Sequence, residues 1–347
     1  MSETPPTPAA SGTAPGRGSG RTLRLVRYVG GRILSAVISL FAVMVTGFFL
    51  FRLLPGDPVR AMTGDQPIGA EQIETMRREF GLDQPLWQQF LDYCWNVVRF
   101  DLGDSFLYRA PVAELIADRL WATLLLAGTA TLIAAMLGLW LGSHSGWRSG
   151  QRVDRVNTGV ALSLWSVPTF WLGLLLITVF AGGLGPIPSM FPTRGMGGAD
   201  ADGVVLTVLD VAHHMVLPVT TMVAVIYAQY LMIMRSSLLD EKGGDYLLTA
   251  RAKGLRDSLV RRQHAVPNAL LPTVTLIFLN LGQVVAGSIL VETVFSWPGL
   301  GRLFYEGLHV PDLPLVQGMF LFFSASVIVM NLLADLLYPV LDPRVRG

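Results

Sequence analysis

The sequence predicts an all-α polytopic membrane protein with six transmembrane helices. Three observations predict it. Of 347 residues, 52% are hydrophobic and only 15% are charged, whereas a soluble globular domain carries about 25% charged residues. Six apolar stretches, at 33–53, 120–142, 159–180, 215–234, 273–294 and 315–337, reach the roughly 20 residues a helix needs to cross the hydrocarbon layer. Basic residues also collect in the segments on one side of these stretches, the bias that sets orientation in multi-pass proteins.

The elements follow in chain order. Residues 1–20 are dominated by Pro, Gly, Ser, Thr and Ala, a composition that builds no core. With the following Arg21, Arg24, Arg27 and Arg32, residues 1–32 are expected to form a flexible segment. A cleaved signal would pair this basic stretch with an apolar region of about 7–15 residues. The apolar run at 33–54 is longer, so it is read as a retained membrane helix. Residues 55–119 form a long loop region on the far side. Ile73, Met76 and Phe80 fall at helical spacing within it, which predicts a short helix over 71–80. Trp87, Phe90, Tyr93, Trp95 and Phe100 fit a folded cap, an interfacial helix at the headgroups, or simple packing against the spans. Residues 120–337 carry the five remaining spans. Ser166, Val167 and Pro168 should kink the third, and Pro218 and Gln229 interrupt the fourth. Residues 338–347 form a tail.

With six spans both termini face the same side. That side receives the N-terminal arginines, Arg148, Arg152 and Arg155, the basic loop 235–272, and Arg344 and Arg346. Both termini are therefore expected in the cytoplasm.

Several function classes are excluded or disfavoured. A net charge of +1 supplies no basic field for nucleic acid. The single cysteine, Cys94, makes no internal disulfide. No ionisable residue occupies the centre of a span, which argues against a proton-coupled carrier. Thr123, Ser163, Gln229, Asn280, Gln283, Ser288 and Asn331 read as contacts between helices, with substrate ligation the alternative, and the small residues Gly138, Gly142, Gly282 and Gly287 permit close helix approach. The sequence holds no nucleophile elbow, no metal-spaced histidine pair and no phosphate loop. His213 and His214 are adjacent and do not share a helix face. If ATP drives transport, another chain must bind it.

The loop 235–272 carries the functional signal. Tyr246 to Ala252 reads as helix, Gly254 should end it, and Leu255, Leu259 and Val260 form an apolar stripe on a second helix. Pro267 and Pro272 bound the return to the membrane. Such an element would pass the motion of a partner to the fourth and fifth spans; an ordinary basic loop remains the alternative.

This stretch resembles the cytoplasmic loop of ABC importer permeases, Glu-Ala-Ala, three residues, Gly, nine residues, Ile-x-Leu-Pro. Aligned on Gly254, Leu248, Thr249 and Ala250 take the triplet and His264 to Pro267 take the end, so the Glu and Ile are replaced. Asp245, Tyr246, Thr249, Ala250, Arg251, Ala252, Lys253, Gly254 and Leu255 resemble the variant of the dipeptide, oligopeptide and nickel permeases. Further motifs resemble the B-type subunit of that family. These are Pro55, Gly56, Asp57 and Pro58; Asp83, Gln84 and Pro85; Asp101 to Ser105; Ser166, Pro168 and Phe170; Glu292 with Pro298 and Gly299; and Asp342, Pro343 and Arg344.

The resemblance implies a type I ABC importer permease fold in a bacterial inner membrane. It implies a C-type permease partner, two ABC ATPase subunits and an extracytoplasmic substrate-binding protein. This chain itself would be no enzyme and bind no cofactor or metal, ATP and Mg belonging to the ATPases. The expected substrate is a dipeptide or oligopeptide; the alternatives are nickel or another small solute and, from a different class, a carrier or channel without ATP. Asp245 to Leu255 and Pro267 would form the ATPase coupling loop. Pro55 to Pro58, Ser166, Pro168, Phe170, Glu292, Pro298 and Gly299 would lie near the path or gate, although Glu292 could also simply face water.

Overall fold

The computed structural model describes residues 19–53, 69, 71, 83–183, 188–198, 203–270, 273, 277 and 288–341. The elements are α1 (Ser19–Leu53), α2 (Leu86–Val98), the two-residue strands β1 (Asp104–Ser105) and β2 (Ala110–Pro111), α3 (Val112–Trp147), α4 (Arg152–Trp165), α5 (Thr169–Leu176), α6 (Val204–Lys242), α7 (Asp245–Ala252), α8 (Asp257–Leu259), α9 (Ile289–Val294), α10 (Leu300–His309) and α11 (Leu313–Leu341). Widened π turns, Ile177–Ala181 and Val260–Ala265, extend α5 and α8.

Among the described residues, four helices are long and apolar enough to cross a membrane, within α1, α3, α6 and α11. The pair α4–α5 makes a fifth if it counts as one span, although it is bent by 96°. The expected fifth span, 273–294, lies mostly outside the described residues. So do the helix expected over 71–80 apart from residue 71, the motif Pro55 to Pro58, residues 1–18 and the terminal Asp342, Pro343 and Arg344.

Two boundaries differ from expectation. The basic stretch from Arg21 to Arg32, expected within a flexible segment, is helical: α1 begins at Ser19, since a helix already nucleated by the span extends at one hydrogen bond per added residue. The third span is broken rather than merely kinked. Pro168 lacks the N–H that a continuous helix would use, and it disfavours helical geometry at Val167. Ser166 Oγ donates to the Leu162 carbonyl at 2.9 Å, closing the end of α4.

The central packing is α3 against α6. Gly138, Gly142 and Gly146 stand one turn apart on α3 and let the backbones touch. A Cβ on Gly142 would lie 2.6 Å from the Leu231 carbonyl oxygen, and one on Gly138 2.5 Å from Tyr230 Cβ. The buried residues around this seam include Leu126, Ala130, Ala134, Tyr227, Tyr230 and Leu231. Gly142→Leu is expected to force α3 off α6 and cost roughly 1–3 kcal/mol, measured as a lower unfolding temperature of the detergent-purified chain. An unchanged unfolding temperature would contradict this seam.

At the end of the molecule bearing residues 99–111, a small cap docks on α10 and α11. Asp312 opens α11 by accepting from Leu315 N at 3.2 Å, Ser105 Oγ at 2.6 Å and Leu107 N at 3.0 Å. Tyr108 donates its hydroxyl to Glu306. Burial, then the hydrogen bond and charge of Glu306, push the Tyr108 phenol up to about 12, so it keeps its proton at physiological pH.

Candidate functional site

At 39 residues and 1.5 Å per residue, α6 is about 58 Å long, far beyond the roughly 30 Å of hydrocarbon. Its last turns therefore leave the bilayer and carry the loop that the sequence singles out. There Met234, Leu238, Leu247, Ala250, Val260, Ala265 and Ala269 close a small separate core. Leu247 and Ala250 are the inward face of α7; Asp245, Tyr246, Leu248, Thr249 and Arg251 are exposed.

The end of α7 has a specific geometry. Gly254 takes φ +81°, a left-handed conformation that glycine adopts without steric cost. The Leu255 N–H reaches the Ala250 carbonyl at 3.4 Å and the Gly254 N–H reaches Arg251 at 2.9 Å. This is a Schellman ending with its usual apolar contact, Leu255 packing on the core that holds Ala250. Ala252 and Lys253 are exposed beside it, and Pro267 is exposed in the helical run that follows Ala265.

The sequence reading missed the residue that ties this element to the rest of the fold. Trp147, the last residue of α3, donates its indole N–H to Asp257 at 2.6 Å. Arg251 and Lys242 each stand 5.6 Å from its ring centroid. Lys242 also donates to the Trp147 carbonyl at 2.6 Å, and Arg251 pairs with Asp257 at 3.5 Å. A second tie lies behind it. Arg235 grips Asp154 with two bonds of 2.6 and 2.9 Å, and the Gly150 N–H donates to the same carboxylate at 2.9 Å. Asp154 is a lone acid among Arg148, Arg152 and Arg155, and that pattern is the signal that would have found it. Trp147→Phe is expected to remove the bond to Asp257, worth about 1 kcal/mol, measured as a lower unfolding temperature of the detergent-purified chain. An unchanged unfolding temperature would contradict this tie.

Glu292, Pro298 and Gly299 come together at the opposite end. Glu292 is fully buried, so it does not face water. One carboxyl oxygen accepts from Thr123 Oγ1 at 2.8 Å and from Ser288 Oγ. The other meets the N–H of Arg302 at 3.1 Å and that of Gly301, closing the first turn of α10. Gly299 is confined, since a Cβ there would sit 2.3 Å from Glu292 Oε2. Trp297 donates from its ring to the Ala122 carbonyl at 2.8 Å. Ser166, Pro168 and Phe170 lie apart, at the α4–α5 break, with Phe170 45% exposed. Among the described residues, no group of three or more His, Cys, Asp or Glu is placed to hold a metal ion.

The chain is 38% identical to the dipeptide transport system permease protein DppB of Escherichia coli (strain K12) over 335 residues, covering 91% of this chain and 97% of that protein. It is 38% identical to the glutathione transport system permease protein GsiC of the same strain over 323 residues, covering 93% and 99%. The model of the N-terminal part of binding-protein-dependent transport system membrane components matches residues 25–127, and that of the inner membrane component itself matches residues 134–347. These matches cover nearly the whole chain, which belongs to the family of binding-protein-dependent transport system inner membrane components.

Proposed function

We propose that this chain is one of two permease subunits of an ATP-driven importer of dipeptides or short oligopeptides. A C-type permease supplies the other half of the path, two ABC ATPases dock below, and a substrate-binding protein delivers peptide above. Six spans cross the inner membrane, with 273–294 as the fifth and with both termini and the loop 235–272 in the cytoplasm. The basic loops support that orientation, and the names of the relatives support the substrate class.

One observation carries the mechanism. The exposed face of α7 (Asp245, Thr249, Arg251 and the turn at Lys253 and Gly254) stands on its own core and is clamped through Trp147. In this reading α7 seats in a groove of one ATPase. Closure of the ATPases moves α7 as a solid piece, α6 directly and α3 through Trp147. The permease pair shifts between inward-facing and outward-facing states as ATP binding changes their populations. The break at Ser166, Pro168 and Phe170, with Pro55 to Pro58, borders the path. Glu292, Pro298 and Gly299 hold the wall at its outer end.

The test is uptake into liposomes holding the whole complex. Labelled di- to pentapeptides should enter only with ATP and the binding protein. Uptake of nickel in place of peptide would reassign the substrate, and uptake without ATP would overturn the mechanism.

A further inference from the structure

The cap-side helix α2 has three distinct faces. Phe90 and Tyr93 pack on α1: the Phe90 ring centroid lies 5.2 Å from Phe48 and 6.4 Å from Phe41, and that of Tyr93 5.8 Å from Phe48. A second stripe, Trp87, Leu91, Trp95 and Val98, recurs at the spacing of one helix face and is 67%, 56%, 56% and 68% exposed. The third, Asp92, Asn96 and Arg99, is polar and exposed.

Depth decides what the apolar stripe meets. Phe41 lies near the middle of the apolar stretch Arg27–Arg52, and Phe48 lies one turn from its cap end. A helix whose Phe90 sits between those two rings is at hydrocarbon level, not above the membrane. The stripe also continues the exposed apolar surface of α1 itself, where Phe41, Phe49 and Leu50 are 54%, 42% and 49% exposed. Two tryptophans beside a polar stripe are the signature of a helix lying in the interface plane. The Arg99 guanidinium stands 4.5 Å from the Trp95 ring centroid, a charge folded back along the edge of the apolar stripe as snorkelling side chains do.

We infer that α2 is an in-plane lipid-seated helix, its Trp87, Leu91, Trp95 and Val98 stripe lying in the acyl chains of the cap-side leaflet and its Asp92, Asn96 and Arg99 stripe facing the headgroups. The occupant of the exposed apolar face is lipid, not a partner subunit. Residues 99–111 follow α2 directly, so the cap that holds α10 and α11 is moored to the bilayer surface at this point. This inference needs only a membrane-spanning α1 and holds whatever the transported substrate.

The test is spin-label accessibility in the assembled complex in lipid nanodiscs. Cys94 is first replaced by serine, and single labels are placed at residues 88, 91, 92, 95 and 96. Oxygen should relax the labels at 91 and 95 more than a water-soluble nickel chelate does, and the order should reverse at 92 and 96, with a helical period of about 3.6 residues. Preference for the chelate at every position would overturn the inference. So would labels at 91 and 95 that are open to oxygen in the isolated chain but closed to both reagents in the complex, since a subunit would then cover the stripe. A second measurement avoids labelling: acyl-brominated lipid should quench the emission lost in the variant carrying Trp87→Phe and Trp95→Phe. Failure to quench that component would count equally against it.

Discussion

Gly254→Trp is expected to leave the chain inserted and folded in the membrane and to reduce ATP-driven uptake at least tenfold, with loss of ATPase from the purified complex. The reasoning has two parts that separate experimentally. The first is local. At φ +81° any L side chain other than Asn or Asp is strained, which costs roughly 1–2 kcal/mol, and the Schellman bonds of Leu255 and Gly254 loosen accordingly. The second is the partner. A Cβ at Gly254 meets nothing within 4 Å in this chain, so the isolated subunit has room for a ring there. A large loss from tryptophan must then come from a surface that covers the turn in the complex. Gly254→Ala tests the backbone part with minimal bulk, and Gly254→Asn relieves the backbone while keeping a side chain. Uptake should fall in the order Asn, Ala, Trp, and ATPase co-purification should fall sharply only for Trp. Normal co-purification and normal uptake with Trp would remove the turn from the docking surface.

What the sequence disclosed and what it hid divide along physical lines. Hydrophobic length is local, so the spans at 33–53, 120–142, 215–234 and 315–337 fall inside α1, α3, α6 and α11. The turn at Gly254 was legible for the same reason: a glycine after a short amphipathic run needs no distant partner to end a helix. Helix ends beyond the bilayer were not legible, because polar turns of α3 and α6 are held by each other and by the Gly138, Gly142 and Gly146 seam, not by hydropathy. Pro218 looked like an interruption, yet α6 runs through it; Thr220 and Thr221 bond to the carbonyls of Val216 and Leu217 nearby. Trp147 was hidden because its partner, Asp257, lies 110 residues away in sequence, and the partner of Asp154, Arg235, was hidden for the same reason, at 81 residues, although the run of arginines around Asp154 marks it locally. Arg235 counts toward the basic bias in any reading of charge, but its guanidinium is committed to Asp154, so the loop presents less free positive charge than its composition suggests.

Glu292→Ala is expected to cause the largest loss of stability in the molecule, about 3 kcal/mol or more. The substitution strands a ring of buried donors at once. Thr123 Oγ1 and Ser288 Oγ lose their acceptor, as do the N–H groups of Gly301 and Arg302, and each unsatisfied donor costs roughly 1–3 kcal/mol. Thr123 is doubly used, since its oxygen accepts the Leu300 N–H at 2.7 Å, so the damage spreads from α9 to α3 and α10. Glu292→Gln keeps the shape and one acceptor oxygen, and it should cost less, about 1–2 kcal/mol. Thr123→Val removes the shared hydroxyl, and its effect should not add to that of Glu292→Ala, because both break one network. Gly299→Ala should mimic them from the other side by driving a methyl group into Glu292. Unfolding temperatures of these four single variants and of the double variant Glu292→Ala/Thr123→Val in detergent, beside the wild-type chain, decide between two roles for this residue. A graded loss in the order Ala, Gln, with non-additivity at Thr123, identifies Glu292 as the lock that joins α3, α9 and α10. Wild-type unfolding temperatures with altered uptake would make it a moving gate instead, and the buried network would then have to open in every transport cycle.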